Sequence, residues 1–288
     1  MVVPYRSQNK KSIIERLKMS DWSEITRQIL EERGASRFYS NIFYRDSVDS
    51  SNEWVKELGE VHFPEGTVGI ADAQTAGKGR RGRTWVSPSG ENIYFSLLLR
   101  PEFSPEHAAA LTLVMGLSVA QAIREVTDLP VGIKWPNDVV INHKKVCGIL
   151  TEMKADVGKI HYVVIGTGIN VNQTAFAEEI RNMATSIKIE SGDNDADRGV
   201  LLAHVLLYFK ENYLKYCETE DVSLLIDSYN DLLVSRGLQV RIEDPKGEYI
   251  AISRGITRTG GLVVECEDGS TREITSGEIS VRGLYGYT

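Results

Sequence analysis

The chain has only three cysteines in 288 residues, Cys147, Cys217 and Cys266. They are far apart, odd in number and never in Cys-x-x-Cys spacing, which argues against a disulfide framework or a zinc site and for a reducing, cytoplasmic setting. No apolar run approaches the roughly 20 residues that span a bilayer, and residues 1–11 lack the apolar stretch of a secretory signal, so no membrane partner is expected. Internal repeats and low-complexity tracts are absent, which excludes a solenoid. Positive charge is in deficit: 33 Lys and Arg against 40 Asp and Glu leave a net charge of −7. That balance gives no general affinity for nucleic acid or anionic lipid. With 42% hydrophobic residues, the chain can bury one sizeable core and a satellite, in one to three domains.

Against this acidic background one segment stands out. Gly77-Lys78-Gly79-Arg80-Arg81-Gly82-Arg83 sets four cations among three glycines. Glycines let the backbone approach a ligand and offer N–H donors, and arginine forks pair with carboxylate or phosphate oxygens. Apolar runs at 68–74 and 92–99 read as strands on either side. A P-loop is excluded, because Lys78 is followed by Gly79 and not by Ser or Thr opening a helix. By itself the loop is either a solvated or nucleic-acid-attracting basic patch or the seat of a small phosphorylated or carboxylated molecule.

Residues 1–37 read as two short helices. Ile13, Ile14 and Leu17 share a face, and Asp21 with Glu24 forms a capping box before Trp22, Ile25, Ile29 and Leu30, ending at Gly34. From 41 to 234 strands and helices mix. Helices are expected at 50–58, 105–127, 201–216 and 223–233, and strands at 131–134, 138–141, 145–153 and 162–170. Asn142-His143-Lys144 reads as a hairpin turn. After 235 the signals become short strands at 240–243, 249–256, 262–266, 271–275 and 277–281, separated by Gly-rich turns. The fold class is therefore α+β, with a small all-β barrel of the SH3 type at the end.

Further motifs sharpen the loop: Asp49-Ser50-Ser51-Asn52, Lys134-Trp135-Pro136-Asn137-Asp138, Lys144-Lys145-Val146-Cys147-Gly148-Ile149-Leu150 and Gly166-Thr167-Gly168-Ile169-Asn170-Val171. With Gln74 to Trp85 and the closing segments 253–256 and 277–282, their order and spacing resemble the biotin protein ligases over residues 38–288. The resemblance implies a mixed-sheet catalytic domain at 38–234, related to class II aminoacyl-tRNA synthetases and lipoate ligases. It also implies an SH3-like domain at 235–288, with 1–37 as a helical extension too short for a complete winged helix-turn-helix.

The resemblance also implies chemistry: Mg2+ and ATP activate biotin to biotinyl-5′-AMP, and the biotinyl group passes to one lysine of a biotin carboxyl carrier protein or domain. Biotin is then assigned to Ser50, Ser51, Asn52, Gln74, Gly77, Lys78, Trp85, Tyr94, Ser96, Gly148, Leu150, Gly166 and Gly168. ATP and the adenylate fall to Arg80, Arg81, Arg83, Lys134, Asn137, Asp138, Lys145 and Asn170. Arg80 and Lys145 are the expected catalytic cations, and the protein ligands of magnesium are left open. No DNA partner is expected, and a homodimer is permitted. Lipoate or octanoate ligation, and a biotin-responsive DNA-binding regulator, are the rival readings. Cys147 reads as a small buried hydrophobe and not as a nucleophile, and His143 as a solvated turn residue.

Overall fold

The computed structural model describes residues 21–192, 194–244, 247–275, 280–283 and 288. The first expected leader helix, with Ile13, Ile14 and Leu17, lies outside the described residues, as do Pro245, Lys246 and 277–279. In chain order the elements are α1 (Asp21–Glu32), β1 (Ile42–Val48), α2 (Ser51–Glu60), β2 (Thr67–Gln74), β3 (Ile93–Leu99), α3 (Leu111–Thr127), β4 (Val131–Lys134), β5 (Asp138–Ile141), β6 (Lys144–Asp156) and β7 (Lys159–Ile169). There follow α4 (Ile187–Glu190), α5 (Arg198–Thr219), α6 (Ile226–Leu232), β8 (Gln239–Asp244), β9 (Gly247–Ile256), β10 (Leu262–Cys266), β11 (Thr271–Ile274) and β12 (Ser280–Gly283). Short 3-10 turns occupy Arg80–Gly82 and Pro105–Ala110. The chain falls into two compact units.

The first unit takes residues up to 105 with 150–169 and 197–203. Its strands run in the order β1-β2-β3-β7, with β1 and β2 parallel and the other neighbours antiparallel. This is the mixed sheet that the fold class requires. All seven residues of β3 are buried, as expected of a strand covered on both faces. α2 lays Trp54, Val55 and Leu58 on this sheet, against Phe43, Phe63, Ala71, Leu98, Tyr162 and Val164. β1 was not read from the sequence, because Arg45-Asp46-Ser47 interrupts its apolar pattern and leaves a half-exposed strand. α1 ends before Gly34, whose φ of +68° suits a glycine cap. The Glu24 carboxylate meets Arg27 at 2.8 Å on the exposed face, and the Asp21 side chain of the expected capping box is outside the described set.

The second unit takes 106–149, 170–196 and 204–288. Its β4-β5-β6 meander is antiparallel. Asn142 and His143 both have positive φ, 47° and 64°, so a two-residue turn closes the β5–β6 hairpin and Lys144 already belongs to the strand. The segment Pro105–Thr127 spans 23 residues and contains an 18-residue window of mean hydropathy 1.3, long and apolar enough by length and composition to cross a bilayer. That corrects the expectation that no apolar run came near this length. With 67% of the window buried inside the protein, it is a core helix, apolar on every side because it is surrounded. Its first six residues form a 3-10 turn, so α3 starts at Leu111 and not at 105. Five antiparallel strands, in the order β11-β10-β9-β8-β12, make the second sheet.

Candidate functional site

In the first unit the sequence-predicted residues converge on the start of α2 and the facing strands β3 and β7. Ser50 is the N-cap of α2, buried, and its hydroxyl makes no capping bond. The Ser51 N–H donates to Gln74 Oε1 at 2.8 Å. Gln74 Nε2 donates to Ser87 Oγ at 2.9 Å, and the Ser87 hydroxyl donates to the Trp85 carbonyl. Ser96 Oγ donates to Asn52 Oδ1 at 2.6 Å and lies 2.8 Å from Ser51 Oγ. Asn52 Nδ2 donates to the Leu150 carbonyl and to Glu152 Oε2. Six polar side chains thus meet inside an apolar unit, mutually satisfied as buried polar groups must be.

The glycines explain how they fit. Ser96 stands opposite Gly166 in the ladder, and Tyr94 opposite Gly168. A Cβ on Gly166 would overlap Asn52 Oδ1, and one on Gly168 would meet the Trp85 indole. The space these glycines clear is therefore occupied by Asn52 and Trp85, which are the side chains assigned to biotin. Tyr94 is fully buried, and its hydroxyl accepts from Asn92 and donates to the Pro88 carbonyl. Burial pushes its phenol pKa up, so it stays neutral.

The cationic loop is ordered from its base. Trp85 N donates to Gly77 O and Gly79 N to Arg83 O, with Arg80–Gly82 turning at the tip. Arg81 holds φ 57° there, followed by Gly82 at 71°. Arg81 and Arg83 are exposed and Arg80 is half-buried. The Lys78 ammonium turns to Glu53 on α2, 2.6 Å away. Glu53 also accepts from Lys56, and these two partners hold its carboxyl below the usual range. Lys56 reaches Glu152 at 2.6 Å, so Lys78, Glu53, Lys56, Glu152 and Asn52 form one chain of charges and hydrogen bonds. Sequence reasoning missed Glu53, Lys56 and Glu152. The one local signal was the i,i+3 spacing of Glu53 and Lys56.

The second unit gathers the rest. Lys145 Nζ pairs with Asp138 Oδ1 at 2.6 Å, and the same oxygen accepts from Asn137 Nδ2 at 3.0 Å. Lys134 and Gly148 each stand opposite Asp138 in register. The Lys145 backbone is gripped by the Met183 carbonyl and the Thr185 N–H. Asn170 is buried, and its Nδ2 donates to the Thr185 carbonyl at 3.0 Å. Trp135 Nε1 donates to the Gly260 carbonyl, tying the Lys-Trp-Pro-Asn-Asp motif to the β9–β10 turn. Cys147 is fully buried beside Lys145, and burial raises its thiol pKa, which fits an inert packing residue. Among the described residues no three His, Cys, Asp or Glu side chains gather as a metal-holding group.

Residues 44–170 match the Biotin/lipoate A/B protein ligase family, and 237–282 match the Biotin protein ligase C terminal domain. The Bifunctional ligase/repressor BirA of Bacillus spizizenii is 37% identical over 84% of this chain and 74% of its own length. The Biotin--[acetyl-CoA-carboxylase] ligase of Mycobacterium tuberculosis is 31% identical over 75% of this chain and 79% of its own. In three dimensions the chain resembles the biotin protein ligase of Aquifex aeolicus in complex with biotin and ATP. That similarity has a TM-score of 0.75 at 37% identity and covers 85% of this chain and 100% of that one.

Proposed function

Because the chain belongs to the biotin protein ligase family and is a biotin protein ligase, we propose that it makes biotinyl-5′-AMP and transfers the biotinyl group to one lysine of a biotin carboxyl carrier protein or domain. A biotin carboxylate oxygen attacks the α-phosphorus of ATP and pyrophosphate leaves. The neutral lysine amine then attacks the mixed-anhydride carbonyl, AMP leaves, and the amine proton is lost to give an amide. Local positive charge and backbone donors bring the two anions together.

The observation that carries this reading is the polar cluster Ser51, Asn52, Gln74 and Ser96 at the start of α2. A ureido ring has two N–H donors and one carbonyl acceptor, and such a cluster can exchange its internal bonds for those. The Aquifex relative, in complex with biotin and ATP, supports the same substrates here. Magnesium is assigned to the phosphate oxygens of ATP, since Mg2+ keeps several waters and needs few protein ligands. Biotin recognition is given to the Ser51, Asn52, Gln74 and Ser96 cluster, and charge stabilisation at the α-phosphate to Lys145. The domain limits 1–37, 38–234 and 235–288 go with this reading. They are supported by the C-terminal match at 237–282 and by the all-strand content after 239. The free cysteines support a cytoplasmic setting. α1 is assigned to its contacts inside the first unit, described below, and not to DNA.

The test is intact-mass spectrometry of a carrier domain incubated with the protein, ATP, Mg2+ and either biotin or lipoate. A gain of one biotinyl group, seen with biotin alone, is expected. A lipoyl gain, or none, overturns the proposal.

Arg80 provides a second test. Arg80 is the half-buried residue of the otherwise exposed turn of the cationic loop, so Arg80→Gly is expected to form the adenylate and lose hold of it. Labelling then spreads to lysines of unrelated proteins, read by avidin blotting with a direct assay of released biotinyl-AMP. Normal adenylate formation with carrier-only labelling and no added release would remove Arg80 from this role.

A further inference from the structure

Asp72 is a buried carboxylate on β2, the one charged residue of the strand, two positions before Gln74. A charge in that position must be paired and fully hydrogen-bonded. Its Oδ1 accepts from Arg198 Nη1 at 2.8 Å, and its Oδ2 accepts from Ser89 Oγ at 2.5 Å and Gly90 N at 2.9 Å. Ser89 and Gly90 are exposed loop residues. The carboxylate therefore spends two of its hydrogen bonds on a surface loop.

That loop is the return arm of the cationic segment. Two residues before Ser89, Ser87 accepts from both the backbone N–H and the side-chain amide of Gln74, at 3.2 and 2.9 Å. Arg198 Nη1 also donates to the Asn92 carbonyl at 3.1 Å, where the arm enters β3. One ion pair thus fixes the arm at residues 89, 90 and 92.

Arg198 is itself held from outside. It opens α5, and its guanidinium lies 4.6 Å from the ring centre of Trp22 on α1. α1 sits directly on that first turn of α5: Thr26 Oγ1 donates to the Gly199 carbonyl at 3.0 Å, and a Cβ on Gly199 would overlap the Trp22 carbonyl. Trp22 also meets Tyr44 of β1 edge-on.

We propose that Asp72 and Arg198 are positioning residues for biotin, holding the return arm 87–92 so that Gln74 is preset, and that Trp22 sets the geometry of the pair. The N-terminal helix thereby becomes part of the binding machinery. A pair kept only for stability could be replaced by well-packed apolar residues at no loss. What apolar residues cannot do is grip a loop N–H and a serine hydroxyl at a fixed point. The proposal rests on the assignment of Gln74, Gly77 and Lys78 to biotin.

The test uses the full chain with Asp72→Asn, Arg198→Lys, Trp22→Leu and, for the site itself, Gln74→Ala. Lys78, Arg80, Arg81 and Arg83 make the loop a trypsin substrate, so nicking of the biotin-free protein, located by mass, reports how often it opens. Asp72→Asn is expected to raise the KM for biotin and the nicking rate about tenfold each, the worth of one charge-assisted hydrogen bond, with kcat changed less than about twofold. Arg198→Lys keeps the charge facing Asp72 and stays near the native KM and nicking rate, while Trp22→Leu gives an intermediate rise of about threefold to fivefold in both readouts. A purely structural role would lower the melting temperature and the active fraction with KM unmoved, which overturns the proposal. Should Asp72→Asn fail to fold, unchanged KM and nicking in Trp22→Leu overturn it equally. If Gln74→Ala weakens biotin binding and the other variants do not, the positioning role alone fails. If Gln74→Ala binds biotin normally, the site assignment fails and the proposal with it.

Discussion

Lys145→Ala loses about 10²- to 10³-fold in the rate of biotin adenylation and regains most of its carrier transfer when purified biotinyl-AMP is supplied. The size follows from what the side chain would do: one preorganised positive charge at an α-phosphate that gains negative charge as pyrophosphate departs. The structure has already met the ordering cost. The Lys145 backbone is held on both sides, by Met183 and Thr185, and its ammonium is fixed by Asp138 at 2.6 Å. Asp138 is steadied in turn by the Asn137 amide. Removing the lysine also leaves a half-buried carboxylate without its cation, which costs stability in its own right. Rescue by the intermediate separates the two effects, since a misfolded enzyme cannot transfer from biotinyl-AMP either. Rates come from pyrophosphate release in a single turnover. Unimpaired adenylation, or a folded variant that transfers no better with the intermediate supplied, would take Lys145 out of the first half-reaction.

Those two residues also show what a sequence can disclose. Lys145 and Asp138 were named through the Lys-Trp-Pro-Asn-Asp and Lys-Lys-Val-Cys-Gly-Ile-Leu motifs that carry the family resemblance, while the hairpin itself, whose Asn142-His143 turn has positive φ angles, discloses only the register of β5 on β6. The same holds for the Gly-rich cationic loop and the five-stranded tail, where local turn chemistry writes the structure. β1 escaped because its middle is polar. Asp72 and Arg198 escaped for a different reason: 126 residues separate them, and neither carries a local pattern. Glu53, Lys56 and Glu152 are similar, since their meaning lies in Lys78 and Asn52, which reach them only through folding. Gly166 and Gly168 were assigned directly to biotin. What the fold adds is that Asn52 and Trp85 already stand in the cleared space, so the glycines admit the side chains that are assigned to biotin.

Gly166→Ala should therefore cost far more than one methyl group suggests. The new Cβ would overlap Asn52 Oδ1, and Asn52 has nowhere to retreat. Ser96 holds its oxygen, Leu150 and Glu152 hold its nitrogen, and Lys56 braces Glu152 from behind. Either the β7 backbone shifts or the Asn52 amide turns away and leaves Ser96 and Glu152 short of partners. Overpacking and unsatisfied buried polar groups each cost about 1–3 kcal/mol, so a fall of several degrees in melting temperature is expected. Biotin affinity, measured by calorimetry, should drop about 10²-fold or more, because the disrupted cluster is the one assigned to the ureido ring. The double variant Gly166→Ala/Asn52→Ala separates the two losses. It relieves the overlap and should recover much of the stability, while biotin binding stays weak because the amide is gone. Full recovery of biotin affinity in the double variant would mean that Asn52 only fills space, and near-native binding in Gly166→Ala alone would mean that the cluster does not recognise biotin.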